Sequence, residues 1–255
     1  MVIEEKVVIV TGAAKGIGLG CARKLAEDGA TVFVVDIDFK IAKRVERNIR
    51  EEGGEAFAIE SDVSNSNDVK EMVENVVQTT GGIDILVNSA GIQRYGSVVD
   101  TSEDLWDEVL NINLKSMFLT SKYAIPYMQQ GGSGSIVNIS SIQAFATQKN
   151  VVAYTVSKGG INALTRALAV DHAKDNIRVN AVCPASVDTP MLRWAADLFK
   201  EDQTEDGVIT TWGKSHPLGR VGKIEEIAEY VSFLAGPKAS FITGTCNSVD
   251  GGILA

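Results

Sequence analysis

Hydrophobic residues recur along this chain in two patterns that take turns. Short unbroken apolar runs, such as Val7-Val8-Ile9-Val10, suit strands buried on both faces. Between them, apolar residues return at helical spacing, as Cys21, Ala22, Leu25 and Ala26 do. Strand candidates begin near Val7, Thr31, Glu55, Ile83, Ser135, Arg178 and Thr245. The two signals alternate from end to end with no linker, charge block or low-complexity stretch. This predicts a single α/β domain over residues 1–255, with a doubly wound parallel sheet of about seven strands and helices on both faces. Val151 to Lys174 reads as helix, and the longest irregular piece, near 190–222, reads as a substrate lid.

The first strand runs into Gly12-Ala13-Ala14-Lys15-Gly16-Ile17-Gly18, then a helix that Gly29 closes, then a second strand ending at Asp36. Glycines permit a tight turn and close approach of a pyrophosphate, and the helix start offers free N–H groups and a positive dipole end. Asp36, 18 residues after Gly18, can accept bonds from both ribose hydroxyls of an adenosine. Strand, turn, helix, strand and terminal acid in this order predict a Rossmann-type dinucleotide site. A carboxylate at Asp36 repels the 2′-phosphate of NADP and suits the free hydroxyl of NAD. Lys15 could reach such a phosphate, so NAD is the expected cofactor and NADP remains possible.

Tyr154 and Lys158 stand four residues apart in the candidate helix and so share a face. An ammonium beside a phenol favours the phenolate, which predicts a Tyr154 pKa lowered from about 10 toward neutrality. Such a tyrosine can exchange a proton with a substrate.

Composition narrows the alternatives. A formal charge of −9 argues against nucleic acid and anionic membranes as partners. No apolar run approaches the ~20 residues of a spanning helix, and the first strand starts almost at Met1, so a cytoplasmic protein without a signal peptide is expected. Cys21, Cys183 and Cys246 fall on separate core elements, and the two histidines, His172 and His216, lie far apart, so neither disulfides nor a metal centre is expected.

The glycine spacing Thr-Gly-x3-Gly-x-Gly, together with Tyr-x3-Lys downstream, resembles the short-chain dehydrogenase/reductase family over nearly the whole chain. Asn88-Ser89-Ala90-Gly91 is similar to the family's Asn-Asn-Ala-Gly, with Ser89 a departure. Asn113 matches the asparagine of the long helix that follows. Ser141, 13 residues before Tyr154, matches the family serine better than Ser140 does. Pro184-Ala185-Ser186-Val187-Asp188-Thr189 resembles the segment that closes over the nicotinamide, with Ala185 in place of glycine. The resemblance implies a Ser141-Tyr154-Lys158-Asn113 catalytic set. Tyr154 is the acid/base, Ser141 bonds the substrate oxygen, Lys158 lowers the phenol pKa and holds the nicotinamide ribose, and Asn113 holds a water that relays protons. It also implies cofactor contacts from Gly12, Lys15, Gly16, Ile17, Gly18, Asp36, Ile37, Asp62, Val63, Asn88, Ala90, Gly91, Val187 and Thr189.

The segment 142–153 joins Ser141 to Tyr154 and must border the substrate. It supplies Gln143, Lys149 and Asn150; Gln93 lies just past the cofactor segment, and Trp212 and His216 lie in the lid. Several hydrogen-bonding groups and an aromatic face suit a polyhydroxylated ring. Ser-x-Gln-x5-Lys-Asn, Pro-Ala-x2-Asp-Thr-Pro and Trp-Gly-x2-His-Pro resemble microbial aldohexose dehydrogenases of this family. The implied activity is oxidation of an aldose anomeric hydroxyl to a lactone. A 3-oxoacyl-carrier-protein reductase shares the fold and catalytic set, but needs a basic dock that Ala124 to Ser135 does not offer. A catalytically silent cofactor-binding scaffold is disfavoured by the intact catalytic set. Family members are commonly homotetramers, and the apolar C-terminus Gly252-Ile253-Leu254-Ala255 would fit a buried interface.

Overall fold

The structure is a computed structural model and describes residues 3–255. Its strands are β1 (Val7–Thr11), β2 (Thr31–Asp36), β3 (Glu55–Glu60), β4 (Ile85–Asn88), β5 (Gly134–Ile139), β6 (Ile177–Pro184) and β7 (Cys246–Val249). They form one seven-stranded sheet in the order β3-β2-β1-β4-β5-β6-β7, and every pairing is parallel. The pairing of β1 with β2 aligns Val7 with Thr31, and its pairing with β4 aligns Val8 with Ile85.

The apolar runs are buried on both faces, with alternate residues serving opposite layers. Val8, Val10, Val32 and Val34 face one layer with α1 (Gly16–Glu27), α2 (Phe39–Glu51) and α9 (Ile224–Ala235). Ile9, Phe33 and Val35 face the other, with α3 (Ser66–Thr80), α5 (Ser116–Gly131) and α6 (Val152–His172). A short helix, α4 (Glu103–Leu110), leads through a π-helical turn, Asn111–Lys115, into α5.

Chain order reverses between β1 and β4, so their carboxyl ends diverge into the crevice where open parallel sheets bind ligands. The crevice floor is tight. A Cβ added at Gly12 would lie 2.7 Å from the Ala90 Cα, and Gly12 itself has φ +64°.

Two expectations need correction. Residues 190–222 are not irregular: they hold α7 (Pro190–Phe199) and α8 (Glu205–Gly213). These two helices share a small core of Ala196, Val208 and Ile209, with Leu192, Trp212 and Val221 packed against it. Asn113 does not sit in regular helix but within the π-helical turn, a feature that often marks a functional position.

Candidate active site

The turn after β1 presents α1 with its first-turn N–H groups open. Lys15 is the N-cap residue and its side chain makes no capping bond, and no acid stands in the first turn. A Cβ at Gly18 would lie 2.2 Å from the Gly12 carbonyl oxygen, so only glycine permits this closure. Thr189, which caps α7 by accepting from Leu192 N at 3.2 Å, lies over Gly16. At the far wall, the Asp36 carboxylate accepts from Ala14 N and Asp38 N, each at 3.0 Å, which fixes its orientation at the end of β2. Ile37 beside it is 66% exposed. Lys15 does not reach Asp36; its ammonium lies 4.0 Å from Asp38. Open helix-terminal donors, a glycine floor and an oriented carboxylate fit a nicotinamide dinucleotide.

Asp62 accepts from Ser64 N at 2.9 Å and Ser64 Oγ at 2.7 Å, which shapes the turn after β3 beside buried Val63. The Asn88 side chain is buried and bonded within the scaffold. Its amide donates to Asn138 Oδ1 at 2.9 Å and its oxygen accepts from Thr120 Oγ1 at 2.7 Å. Its side chain therefore serves the scaffold, bridging β4 to β5 and α5. Val187 is buried and bridges to Gly222, fastening the segment after β6.

Tyr154, Lys158 and Ser141 are brought together at the carboxyl end of β5. All three are buried, at 8%, 5% and 7% exposure. The Lys158 ammonium donates to the Ile139 carbonyl at 2.9 Å and stands 5.3 Å from the centre of the Tyr154 ring. A side chain at Gly91 would meet Asn113 Oδ1 at 3.3 Å and Lys158 Nζ at 3.9 Å, so the turn after β4 closes directly on this group. Ser141 Oγ accepts from Gln143 N at 3.1 Å, which leaves its own proton to donate elsewhere. Ser140, by contrast, donates to the Lys158 carbonyl at 3.1 Å.

The expected pull of Lys158 on the phenol is not what governs Tyr154. Burial pushes its pKa up to about 12, with the Ser141 hydroxyl the main opposing influence. Burial also pushes Lys158 down from 10.5 to about 8. Desolvation wins because the ammonium lies against the ring, with its bond made to a backbone carbonyl.

Asn113 is fully buried. Its oxygen accepts from Ile92 N at 2.8 Å, and its amide donates to Ile92 O at 2.9 Å and Ser157 Oγ at 3.1 Å. One acceptor position on Oδ1 remains for a water.

The candidate substrate residues are dispersed. Gln143 accepts weakly from Thr155 Oγ1 at 3.4 Å. Lys149 and Asn150 are exposed at the tip of the segment before α6, with Asn150 in the left-handed region at φ 60°. Trp212 packs against the small core of the α7–α8 pair, and its carbonyl pairs with His216 Nδ1 at 3.1 Å. It does not supply the free aromatic face expected of it. A second aromatic cluster, absent from the sequence reading, lies at Tyr95. Tyr95 stacks on Trp194 of α7 at 5.9 Å and meets Phe199 edge-on at 4.8 Å. Gln93 lies beside the Tyr95 hydroxyl, together with Gln148. Among the described residues, no cluster of His, Cys, Asp and Glu could hold a metal, and no helix is long and apolar enough to cross a membrane.

A family model described as enoyl-(acyl carrier protein) reductase matches residues 12–254. The chain is similar to the ligand-free aldohexose dehydrogenase of Thermoplasma acidophilum. The two are 41% identical with a TM-score of 0.90, covering 99% of this chain and 95% of that one. It is 37% identical to the 3-oxoacyl-[acyl-carrier-protein] reductase FabG of Thermotoga maritima, with 100% of each covered. It is also 37% identical to a cyclopentanol dehydrogenase of Comamonas sp., covering 99% of this chain and 98% of the relative.

Proposed function

The chain belongs to the short-chain dehydrogenase/reductase family of nicotinamide-dependent oxidoreductases, and from that premise we propose that it oxidises the anomeric hydroxyl of an aldose to the lactone with NAD. The observation that carries the substrate class is the pairing of an aromatic wall, Tyr95 and Trp194, with the amides of Gln93 and Gln148 beside the catalytic segment. Saturated rings bearing several hydroxyls stack on aromatic faces and bond to amides. The likeness to an aldohexose dehydrogenase supports the same reading. NAD is favoured by the fixed Asp36 carboxylate and by Lys15 turning toward Asp38.

In this reading Tyr154 Oη exchanges the proton with the substrate oxygen, and Ser141 Oγ donates to that oxygen as charge develops on it. Lys158, with a pKa near 8, can pass a proton close to neutral pH. Asn113 anchors the turn at Ile92 and keeps Gly91 against Lys158. The oxidised nicotinamide, when bound, supplies the hydride acceptor and a positive charge that favours the phenolate. The protein acts as a homotetramer, in keeping with exposed apolar residues on α5, α6 and α9.

A panel of aldoses, cyclic monoalcohols and 3-oxoacyl thioesters with NAD and NADP, followed at 340 nm, tests the assignment. Turnover of aldoses with NAD is expected. Activity confined to acyl thioesters, or to cyclopentanol-like alcohols with none on any aldose, overturns it.

A further inference from the structure

We propose that Tyr95 is a positioning residue that holds the lid and the polar side of the substrate site in one register, its ring gripping α7 and its hydroxyl setting the amides of Gln93 and Gln148. The inference rests on the substrate site assigned above, and deepens it by naming the residue that shapes it.

The chain around Tyr95 is built to be rigid. Its neighbour Gly96 donates from N to the Asn150 carbonyl at 2.7 Å, and its carbonyl accepts from Val152 N at 3.4 Å. These bonds join the turn after β4 to the segment that enters α6 two residues before Tyr154. A Cβ at Gly96 would lie 2.6 Å from Thr101 Oγ1, so the backbone is also sealed from behind. On the other side, Arg94 donates to Glu108 of α4 at 2.8 Å and to the Gln93 carbonyl at 3.1 Å. Tyr95 is thus projected from an anchored turn, and its partners across the gap belong to the lid.

Those partners face it on two sides. Trp194 stacks at 28° between planes, and Phe199 meets the ring edge at 86°. Trp194 and Phe199 are otherwise about half exposed, at 45% and 47%. Such aromatic pairs contribute beyond their buried area, by about 0.5–1.5 kcal/mol each. The α7–α8 pair carries its own small core and is packed as one unit. The Tyr95 contacts tie that unit to the catalytic side of the crevice. The hydroxyl end is half-buried, with the side chains of Gln148 and Gln93 beside it. One residue therefore touches α7 with its ring and the amides of Gln93 and Gln148 with its hydroxyl.

Two variants separate these functions. Tyr95→Phe keeps the ring and removes the hydroxyl. It is expected to leave hydrogen exchange of residues 190–199 as in wild type and to raise KM about tenfold, the value of one lost hydrogen bond, with kcat within about twofold. Tyr95→Ala is expected to raise exchange across 190–199 as well. Both are measured with NAD and the best alcohol substrate of the wild type, whatever its class. The sugar reading fails if wild type turns over no aldose. The present inference fails independently in any of three cases: Tyr95→Phe has wild-type KM, it lowers kcat with KM unchanged, or Tyr95→Ala leaves exchange of 190–199 unaltered.

Discussion

Lys158 shows how one buried charge couples stability to chemistry. Unfolded, it keeps its proton to about pH 10.5; folded, it releases it near 8. Between those values the unfolded chain binds more protons, so this residue's contribution to stability rises with pH. Lys158→Met removes the dependence. From pH 7 to pH 10, the stability difference between wild type and variant should move in favour of wild type by about 2–3 kcal/mol. Urea unfolding of both proteins at pH 7, 8.5 and 10 measures this; a constant difference contradicts it. Tyr154 titrates in the opposite sense. Its phenol is raised to about 12, so at neutral pH the base form is scarce and alcohol oxidation should accelerate as pH rises from 7 to 10. A flat kcat/KM profile over that range would exclude the phenol as base. Tyr154→Phe should lower kcat by roughly 10²–10⁴ while NAD binding, followed by calorimetry, stays near wild type, because the glycine turn and Asp36 lie elsewhere. The i, i+4 spacing was enough to place this pair on one face. It could not reveal that the ammonium would bond the Ile139 carbonyl, because a backbone acceptor leaves no mark in side-chain identity.

Elements were legible in proportion to the area they bury. The strands announced themselves because Val8, Val10, Val32 and Val34 and their neighbours are apolar on both faces. Helices α7 and α8 did not, because α8 buries only Val208, Ile209 and Gly213. The π-helical turn was equally silent: one polar residue in a helical run looks the same whether it faces water or, as Asn113 does, holds both backbone groups of Ile92. Tyr95 carried no motif, since what places it is the long-range pairing of Gly96 with Asn150 and Val152. Two substitutions test what these elements require. Asn113→Ala leaves Ile92 N and O without their partner and should cost about 2–4 kcal/mol, read as a lower denaturation midpoint. Gly18→Ala drives a Cβ to within 2.2 Å of the Gly12 carbonyl. The turn must then open, so NAD affinity should fall at least tenfold while the far end of the sheet keeps its exchange protection. Unchanged affinity would mean that the turn does not cradle the pyrophosphate.

At the scale of the molecule, the faces turned away from the crevice carry the next constraint. Phe118 on α5 and Val156 and Val170 on α6 are 48%, 44% and 79% exposed. Phe233 on α9 is 39% exposed, and Phe241, just before β7, is wholly exposed. Isolated exposed apolar residues are ordinary, but several on neighbouring helices mark association surfaces. The first group lies on the α5–α6 side of the sheet, and the second lies around α9 and the edge strand β7. Two separate self-complementary surfaces on one chain generate a tetramer with two-fold axes, whereas one surface alone generates a dimer. Light scattering should therefore report a mass near four times that of the 27.2 kDa chain. Phe118→Glu with Val170→Glu places like charges on both sides of the first surface, and Phe233→Glu with Phe241→Glu does the same at the second. Each pair should reduce the assembly to a dimer, and all four together to a monomer that still binds NAD, since the crevice between β1 and β4 is complete within one chain. A monomeric wild type, or tetramers that survive both pairs of substitutions, would show that these apolar faces serve another purpose.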